Sequence, residues 1–180
     1  MIKDILNLLK FKPEAIEYYQ KYSLKTMISI MIFIGVAYGL LLPHPPEVSL
    51  IAHFFMMLMM VPIILILVLF LQVFLKLKHK KPTFQALLAL SVLASIIDLA
   101  VVPLAFLAQF HGAFDYLQLV VGCYSLLIFF FAFAKANEVG LGFSLLTILL
   151  GIVILIVLVM ITIVIFIAIG LMPAPTLPPV

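Results

Sequence analysis

The sequence predicts an all-α fold: a polytopic membrane protein of five transmembrane helices, preceded by an N-terminal amphipathic interfacial helix. Three observations predict it. Of 180 residues, 67% are hydrophobic and only 9% charged, with a mean hydropathy of +1.43, whereas a soluble domain carries roughly one charged residue in four. Lipid must therefore be the solvent for most of the surface. The apolar residues also collect in five runs close to or above the ~20 residues that cross ~30 Å of hydrocarbon as a helix. These runs are continuous rather than alternating, which excludes a β-barrel.

The first segment, residues 1–25, is of a different kind. Ile2, Ile5, Leu6, Leu9 and Phe11 are spaced for one helical face, with Lys3, Asp4, Lys10 and Lys12 mostly elsewhere, the pattern of a helix lying on a membrane surface. Pro13 and Glu14 suit a helix first turn and Glu17 stands i,i+4 from Lys21, so a second helix is expected to start here and run into the membrane. The apolar run that follows ends in Leu-Leu-Pro with no small-residue cleavage site, so it reads as a retained anchor. The spans are expected at 26–42, 48–75, 84–108, 116–134 and 144–171, punctuated by Pro43, Pro45 and Pro46, by 76–82, by 110–115 and by 135–142. Short connections make sequential helices antiparallel neighbours. The last span is almost purely Ile, Val and Leu, hence lipid-facing, and residues 173–180 form a Pro-rich external tail. Five spans do not pair into a clean inverted repeat.

Ten lysines and no arginine set the orientation. Lys3, Lys10, Lys12, Lys21 and Lys25 precede the first span, Lys76, Lys78, Lys80 and Lys81 follow the second, and Lys135 ends the fourth. All fall on one side, which places the N-terminus in the cytoplasm and the C-terminus outside, in a cytoplasmic (inner) membrane. The 76–81 cluster is a topology determinant, with a membrane-surface or partner contact compatible with it. The opposite loops carry His44, Glu47, His111 and Asp115. Nothing in the charge pattern points to nucleic acid.

Asp98 is the one ionisable residue near a membrane midplane, and Ser91, Ser95 and Asp98 share a helical face at i, i+4 and i+7. That face should point into the bundle, where Asp98 is either a neutral carboxyl bonded across helices or a proton- or cation-linked site. By depth, Tyr124 or Ser125 of the fourth span is its expected neighbour, with Gln118, Gly122 and Ser125 on one face. Gly35 and Gly39 form Gly-x-x-x-Gly, a close-packing signal, and Pro62 should loosen or kink the second span. His53, Gln109 and Gln118 are candidates for an outer polar vestibule, Met56 to Met60 with Leu58 between them for adaptable packing or, second to it, a soft-metal or amphiphile surface, and Cys123 for a packed, inert thiol. The scattered histidines and single cysteine give no metal site, and no catalytic or phosphate-binding motif occurs, so neither a cofactor nor an enzyme is expected.

The lead with Phe-Lys-Pro-Glu-Ala at 11–15, the basic Lys-Pro-Thr-Phe-Gln-Ala at the start of the third span (81–86) and the Gly-Leu-Gly-Phe-Ser turn at 140–144 before a long final helix resemble the bacterial and archaeal branch of the Yip family, the Ypt/Rab-interacting membrane proteins. The resemblance implies a five-helix scaffold, which in eukaryotes associates with Rab-type GTPases, forms homo- or hetero-oligomers and shapes trafficking membranes. The Asp-x-Tyr-Gly-Pro-x-Trp motif of eukaryotic members is absent, the chain has no Trp, and residues 1–25 are too few for a cytosolic interaction domain, so a GTPase partner is not carried over. Two function classes follow. One is a membrane scaffold that binds a second copy or a membrane-protein partner through the N-terminal helix and the 76–81 loop. The other is small-solute, proton-linked or lipid transport through a polar interior made by Asp98, Ser95, Tyr124 and Gln118.

Overall fold

The computed structural model describes residues 1–43 and 48–172; His44, Glu47 and the Pro-rich tail lie outside the described residues. In chain order the elements are α1 (Ile2–Leu9), a 3₁₀ helix (Ile16–Lys21), α2 (Leu24–Leu41), α3 (Leu50–Lys76), α4 (Phe84–Asp98), α5 (Val101–Ala108), α6 (Ala113–Ala136) and α7 (Leu141–Ala168). Five segments are long and apolar enough to cross a membrane: α2, α3, α4 together with α5, α6, and α7. The protein is thus an all-helical, multi-span membrane protein with a short N-terminal helix.

Helix starts follow capping chemistry. The side chains of Ser23, Ser49 and Thr83 accept from the amides of Thr26, Ala52 and Ala86 at 3.1, 3.1 and 3.2 Å, each satisfying a donor that the first turn leaves free. Past Thr83 the chain enters the middle of the bundle: residues 86–94 of α4 are all buried, ringed by α2, α3, α6, α1 and the 3₁₀ helix. α7 packs mainly on α3 and α6, and Leu145, Leu149, Val153, Met160 and Val164 of it are exposed to the apolar surroundings.

Small residues fix the closest helix contact. A Cβ on Gly39 would stand 3.1 Å from the Phe54 Cα, and one on Gly35 would stand 3.3 Å from the Met57 carbonyl oxygen, so α2 meets α3 backbone to backbone along the Gly-x-x-x-Gly edge. Pro62 leaves α3 continuous from Leu50 to Lys76 and sits exposed.

The N-terminal region departs from expectation in two respects. Where an α-helix was expected after Pro13, the chain forms the six-residue 3₁₀ helix, and α2 starts separately behind Ser23. Side chains eclipse at i,i+3 rather than i,i+4 in a 3₁₀ helix, so Lys21 leaves Glu17, lies 3.6 Å from the centroid of the Tyr18 ring and reaches Asp4 at 2.9 Å. The second departure concerns α1, which is docked on protein as well as amphipathic. α1 packs on α4 and α6 with Asp4 and Leu8 buried, while Ile2 and Leu6 point outward, 74% and 49% exposed.

Asp4 is the rivet of this clamp. Only 2% exposed, it accepts from the hydroxyls of Tyr18 at 2.9 Å and Tyr22, and it pairs with Lys21 and the N-terminal ammonium. Burial raises its pKa, but the hydrogen bonds from Tyr22, Lys21 and Tyr18 outweigh that and hold it at about 2. Burial and the bond to Asp4 push the Tyr22 phenol up to about 12, which keeps it a donor. At the other end of α1, Phe11 takes a left-handed φ of 53° in a Schellman closure, with Lys12 N bonded to Asn7 O and Phe11 N to Leu8 O, each at 2.9 Å. Glycine usually fills that position. Here edge-on contacts of Phe11 with Tyr124 and Phe131 hold the conformation, together with Lys135 Nζ on the Phe11 carbonyl at 2.9 Å.

Two predictions follow from these contacts. Gly39→Ala should lose on the order of 1–3 kcal/mol of thermal stability, because the Phe54 backbone as well as its ring must yield, while Gly142→Ala, with nothing within 4 Å of the new carbon, should be neutral or slightly stabilising. Equal midpoints for both variants would show that the α2–α3 contact has slack. For Asp4 the pKa is depressed, so its contribution is complete above the usual carboxylate value of 3.8 and is lost as the pH falls towards 2. Limited proteolysis or amide exchange of α1 should accelerate across that window, and Asp4→Asn should loosen α1 at neutral pH by on the order of 2 kcal/mol.

Candidate functional site

Asp98 closes α4. From Phe84 it lies ~21 Å along the span, and from Ala108 ~15 Å, so it stands well inside the hydrocarbon from either end. The span breaks directly after it. Leu99 and Ala100 have ψ near −20°, and the amides of Leu99, Ala100 and Val102 bond three residues back, to Ile96, Ile97 and Leu99, each at 3.2 Å. The cause is Pro103. It has no N–H to give to the carbonyl of Leu99, and its ring crowds that carbonyl, so the α-helix yields to a 3₁₀ joint.

The joint turns the Asp98 side chain between two cavities. One, of about 360 Å³, is lined by Met31, Gly35 and Tyr38 of α2, Met57 and Met60 of α3, and Ser95 and Asp98 of α4. The other, of about 260 Å³, is lined by Ser91, Ser95 and Asp98 on one side and Gly122, Ser125 and Phe129 of α6 on the other. The Ser125 hydroxyl is the side-chain partner of the Asp98 carboxyl. Ser91 and Ser95 spend their hydroxyl protons on their own helix, donating to the carbonyls of Leu87 at 2.9 Å and Ser91 at 3.0 Å. Their oxygens leave a weakly polar stripe beside a single acid.

A third cavity, about 490 Å³, lies towards the ends of the spans that carry no lysine. Its lining holds His53, Gln109, Asp115 and Gln118, and it shares Leu42 and Met57 with the Asp98 cavity. His53 is buried, 3% exposed, and Gln118 Nε2 donates to Asp115 Oδ1 at 3.4 Å. Cavities therefore adjoin one another from the lysine-free end down to the carboxylate. Towards the lysine-bearing end the interior is filled instead: Leu71, Leu75, Leu87, Leu88, Leu90 and Phe133 are all buried.

Among the expected site residues, Ser91, Ser95, Asp98 and Ser125 meet around one cavity. Tyr124 does not join them; its hydroxyl donates to the Leu9 carbonyl at 2.7 Å, on a different side of α6. Depth alone could not separate it from Ser125, since one residue on a helix turns the side chain by about 100°. Gln118 belongs to the vestibule with His53 and Gln109, as their spacing from the span ends indicates, and not to the Asp98 cavities. Cys123, expected to be packed, is exposed. Lys76, Lys78 and Lys81 are exposed, and Lys80 pairs with Glu138 at 3.0 Å. Among the described residues no group of three His, Cys, Asp or Glu could hold a metal ion.

Sequence reasoning passed over Pro103, Tyr38 and Met31; Met57 and Met60, of the cluster singled out for adaptable packing, line the Asp98 cavity. A proline four residues beyond Leu99 was the available signal for the joint. Pro103→Ala restores the missing donor, so amide exchange at Leu99 to Val102 should slow at least tenfold as α4 and α5 fuse; an unchanged rate would show that the proline is not what breaks the helix.

The chain matches no family model, no curated protein and no solved structure, so the site rests on its own geometry.

Proposed function

We propose that the protein is a non-enzymatic carrier that binds a small lipophilic cation inside the membrane at Asp98 and exchanges it for a proton. The observation that carries this reading is the placement of one carboxylate at a helix joint between two cavities, with a chain of adjoining cavities leading to it from one end. An intramembrane carboxylate is costly and marks a pathway far more often than packing needs one. The larger cavity has the size and apolar lining of a small-molecule site with few polar groups. Thioethers of Met31, Met57 and Met60 adapt to irregular shapes and, with the Tyr38 ring, offer polarisable surface to a delocalised cation. The chemistry is an exchange. A cation is held only by ionised Asp98, and its departure in hydrocarbon obliges the carboxyl to take a proton back. In this reading the lysine-bearing end is cytoplasmic and the vestibule faces outward, in a cytoplasmic membrane.

A second reading is the scaffold of Yip type. It draws on the exposure of Ile2 and Leu6 on α1 and of Lys76 and Lys78 after the second span, surfaces that a membrane-protein partner or a second copy would cover. The proposed family membership belongs to this reading.

Tetraphenylphosphonium binding to the detergent-purified chain, and its uptake into proteoliposomes under a pH gradient, separate the two. We expect Asp98→Asn to lose at least tenfold in binding and to abolish proton-coupled uptake at an unchanged thermal midpoint. Ser125→Ala should weaken binding only a few-fold. Undiminished uptake by Asp98→Asn would sink the carrier reading.

A further inference from the structure

At the lysine-bearing end a small cavity of about 80 Å³ is enclosed by the 3₁₀ helix, the α3–α4 turn and the α6–α7 turn. A water needs ~10–15 Å³ by the same measure, so there is room for a chain of about four or five heavy atoms. Ile16 forms part of the wall, and the charged lining is Glu17, Lys80, Lys81 and Glu138. The remaining polar residue is Asn137, 2% exposed, at the C-terminus of α6.

Asn137 is half satisfied. Its Nδ2 donates to the Phe133 carbonyl at 2.9 Å, and its Oδ1 is buried without a hydrogen-bond partner. Exchanging the two amide atoms would set oxygen against the Phe133 carbonyl, so the assignment is chemically determined. A buried acceptor with no donor calls for one from outside the chain. That donor must also suit a lining of two carboxylates and two ammonium groups, whose net charge is zero. A bare phosphate finds no donor at Asn137 and meets both glutamates. A metal cation meets both lysines. A zwitterion that presents an N–H to Asn137 satisfies the lining throughout.

We propose that this cavity binds a phosphoethanolamine group, its primary ammonium inward on Asn137 Oδ1 and facing the exposed Glu17 carboxylate across the opening, its phosphate at the mouth on Lys80 and Lys81. The ammonium, the two methylenes and the ester oxygen are four heavy atoms, within the room the cavity offers, and the phosphate beyond them meets the two lysines at the rim. A trimethylammonium group has no N–H to offer and is bulkier, so phosphocholine is rejected on both counts. The site is separate from Asp98, lies at the other end of α4, and does not rest on the carrier reading.

The full-length chain in mild detergent, mixed with equal amounts of phosphatidylethanolamine, phosphatidylcholine and phosphatidylglycerol, should retain the first at least fivefold over the others by native mass spectrometry. Glu17→Gln, on the exposed rim, and Asn137→Leu should each reduce that preference to near unity. In phosphatidylcholine alone Asn137→Leu should melt no lower than the parent chain, since it removes an acceptor that this lipid leaves unmet. Displacement of the lipid by millimolar soluble phosphoethanolamine would support the site as a reader of the free group as well; retention against it would support the lipid headgroup as the source. Equal retention of the three lipids, or a preference that both variants leave intact, would overturn the proposal. Asp98→Asn should leave the preference untouched, so this result stands or falls apart from the carrier experiment.

Discussion

In hydrocarbon a backbone N–H or C=O has no water to turn to, and that constraint governs this chain at every level. It forces helices wherever the chain is surrounded by lipid, and it makes each interruption conspicuous, because something must satisfy the groups that the interruption frees. Ser23, Ser49 and Thr83 do this at the helix starts. Pro103 does the reverse in the middle of the third span, withdrawing a donor and leaving the bonds from Leu99, Ala100 and Val102 to tighten into a 3₁₀ joint. The joint costs regular helix, and it sets a carboxylate between two cavities instead of against a neighbouring helix face.

The same constraint explains how α1 is held. Tyr124 and Lys135 are separated by ~16 Å of rise on α6, yet they end on carbonyls only two residues apart, those of Leu9 and Phe11. The end of α1 therefore lies between their depths, below the level at which α6 emerges, where its last carbonyls need donors from the protein. Gln85 does the equivalent for the next segment, donating to the carbonyls of Gln20 and Tyr22 at 2.8 and 2.6 Å. Asp4 then closes the clamp through charge. A carboxylate buried with two phenols and an ammonium is stabilising only because all its partners are present at once, and loss of any one would leave the others desolvated. What the amphipathic spacing of residues 2–11 reads as a lipid contact is in fact shared, with Leu8 on protein and Ile2 on the outside.

Periodicity and run length carried the fold, since five apolar runs admit few other solutions. Helical spacing also carried part of the site: Ser91, Ser95 and Asp98 share a face because 3.6 residues per turn requires it, and they share a cavity. Three features were not legible, each for a physical reason. The rotation of α6 about its own axis decides between Tyr124 and Ser125, and a depth argument contains no azimuth. The 3₁₀ geometry of residues 16–21 turns Lys21 from Glu17 to Asp4, a change of one residue in side-chain register that no i,i+4 count can anticipate. The pairing of Lys80 with Glu138 spans 58 residues and depends on two turns meeting at one end of the bundle.

Acid groups in this protein divide by what surrounds them. Asp4 is enclosed by two phenols and an ammonium within hydrogen-bonding distance and is fully neutralised by the chain. Asp98 is half-buried with one neutral hydroxyl for a partner and no lysine on the lining of either cavity. A structural carboxylate needs the first environment, because its charge must be cancelled permanently. In the proposed carrier, the second leaves the cancelling to something that comes and goes, a proton or a cation. The packing around it has the matching asymmetry: adjoining cavities on the vestibule side, and a closed layer of Leu71, Leu75, Leu87, Leu90 and Phe133 on the other. The larger Asp98 cavity thus adjoins the vestibule, while packed side chains fill the bundle towards the other end. In the proposed carrier, passage to the other end requires that layer to part, and the proline-made joint immediately beside the carboxylate is an interruption of the helix from which such a movement can start.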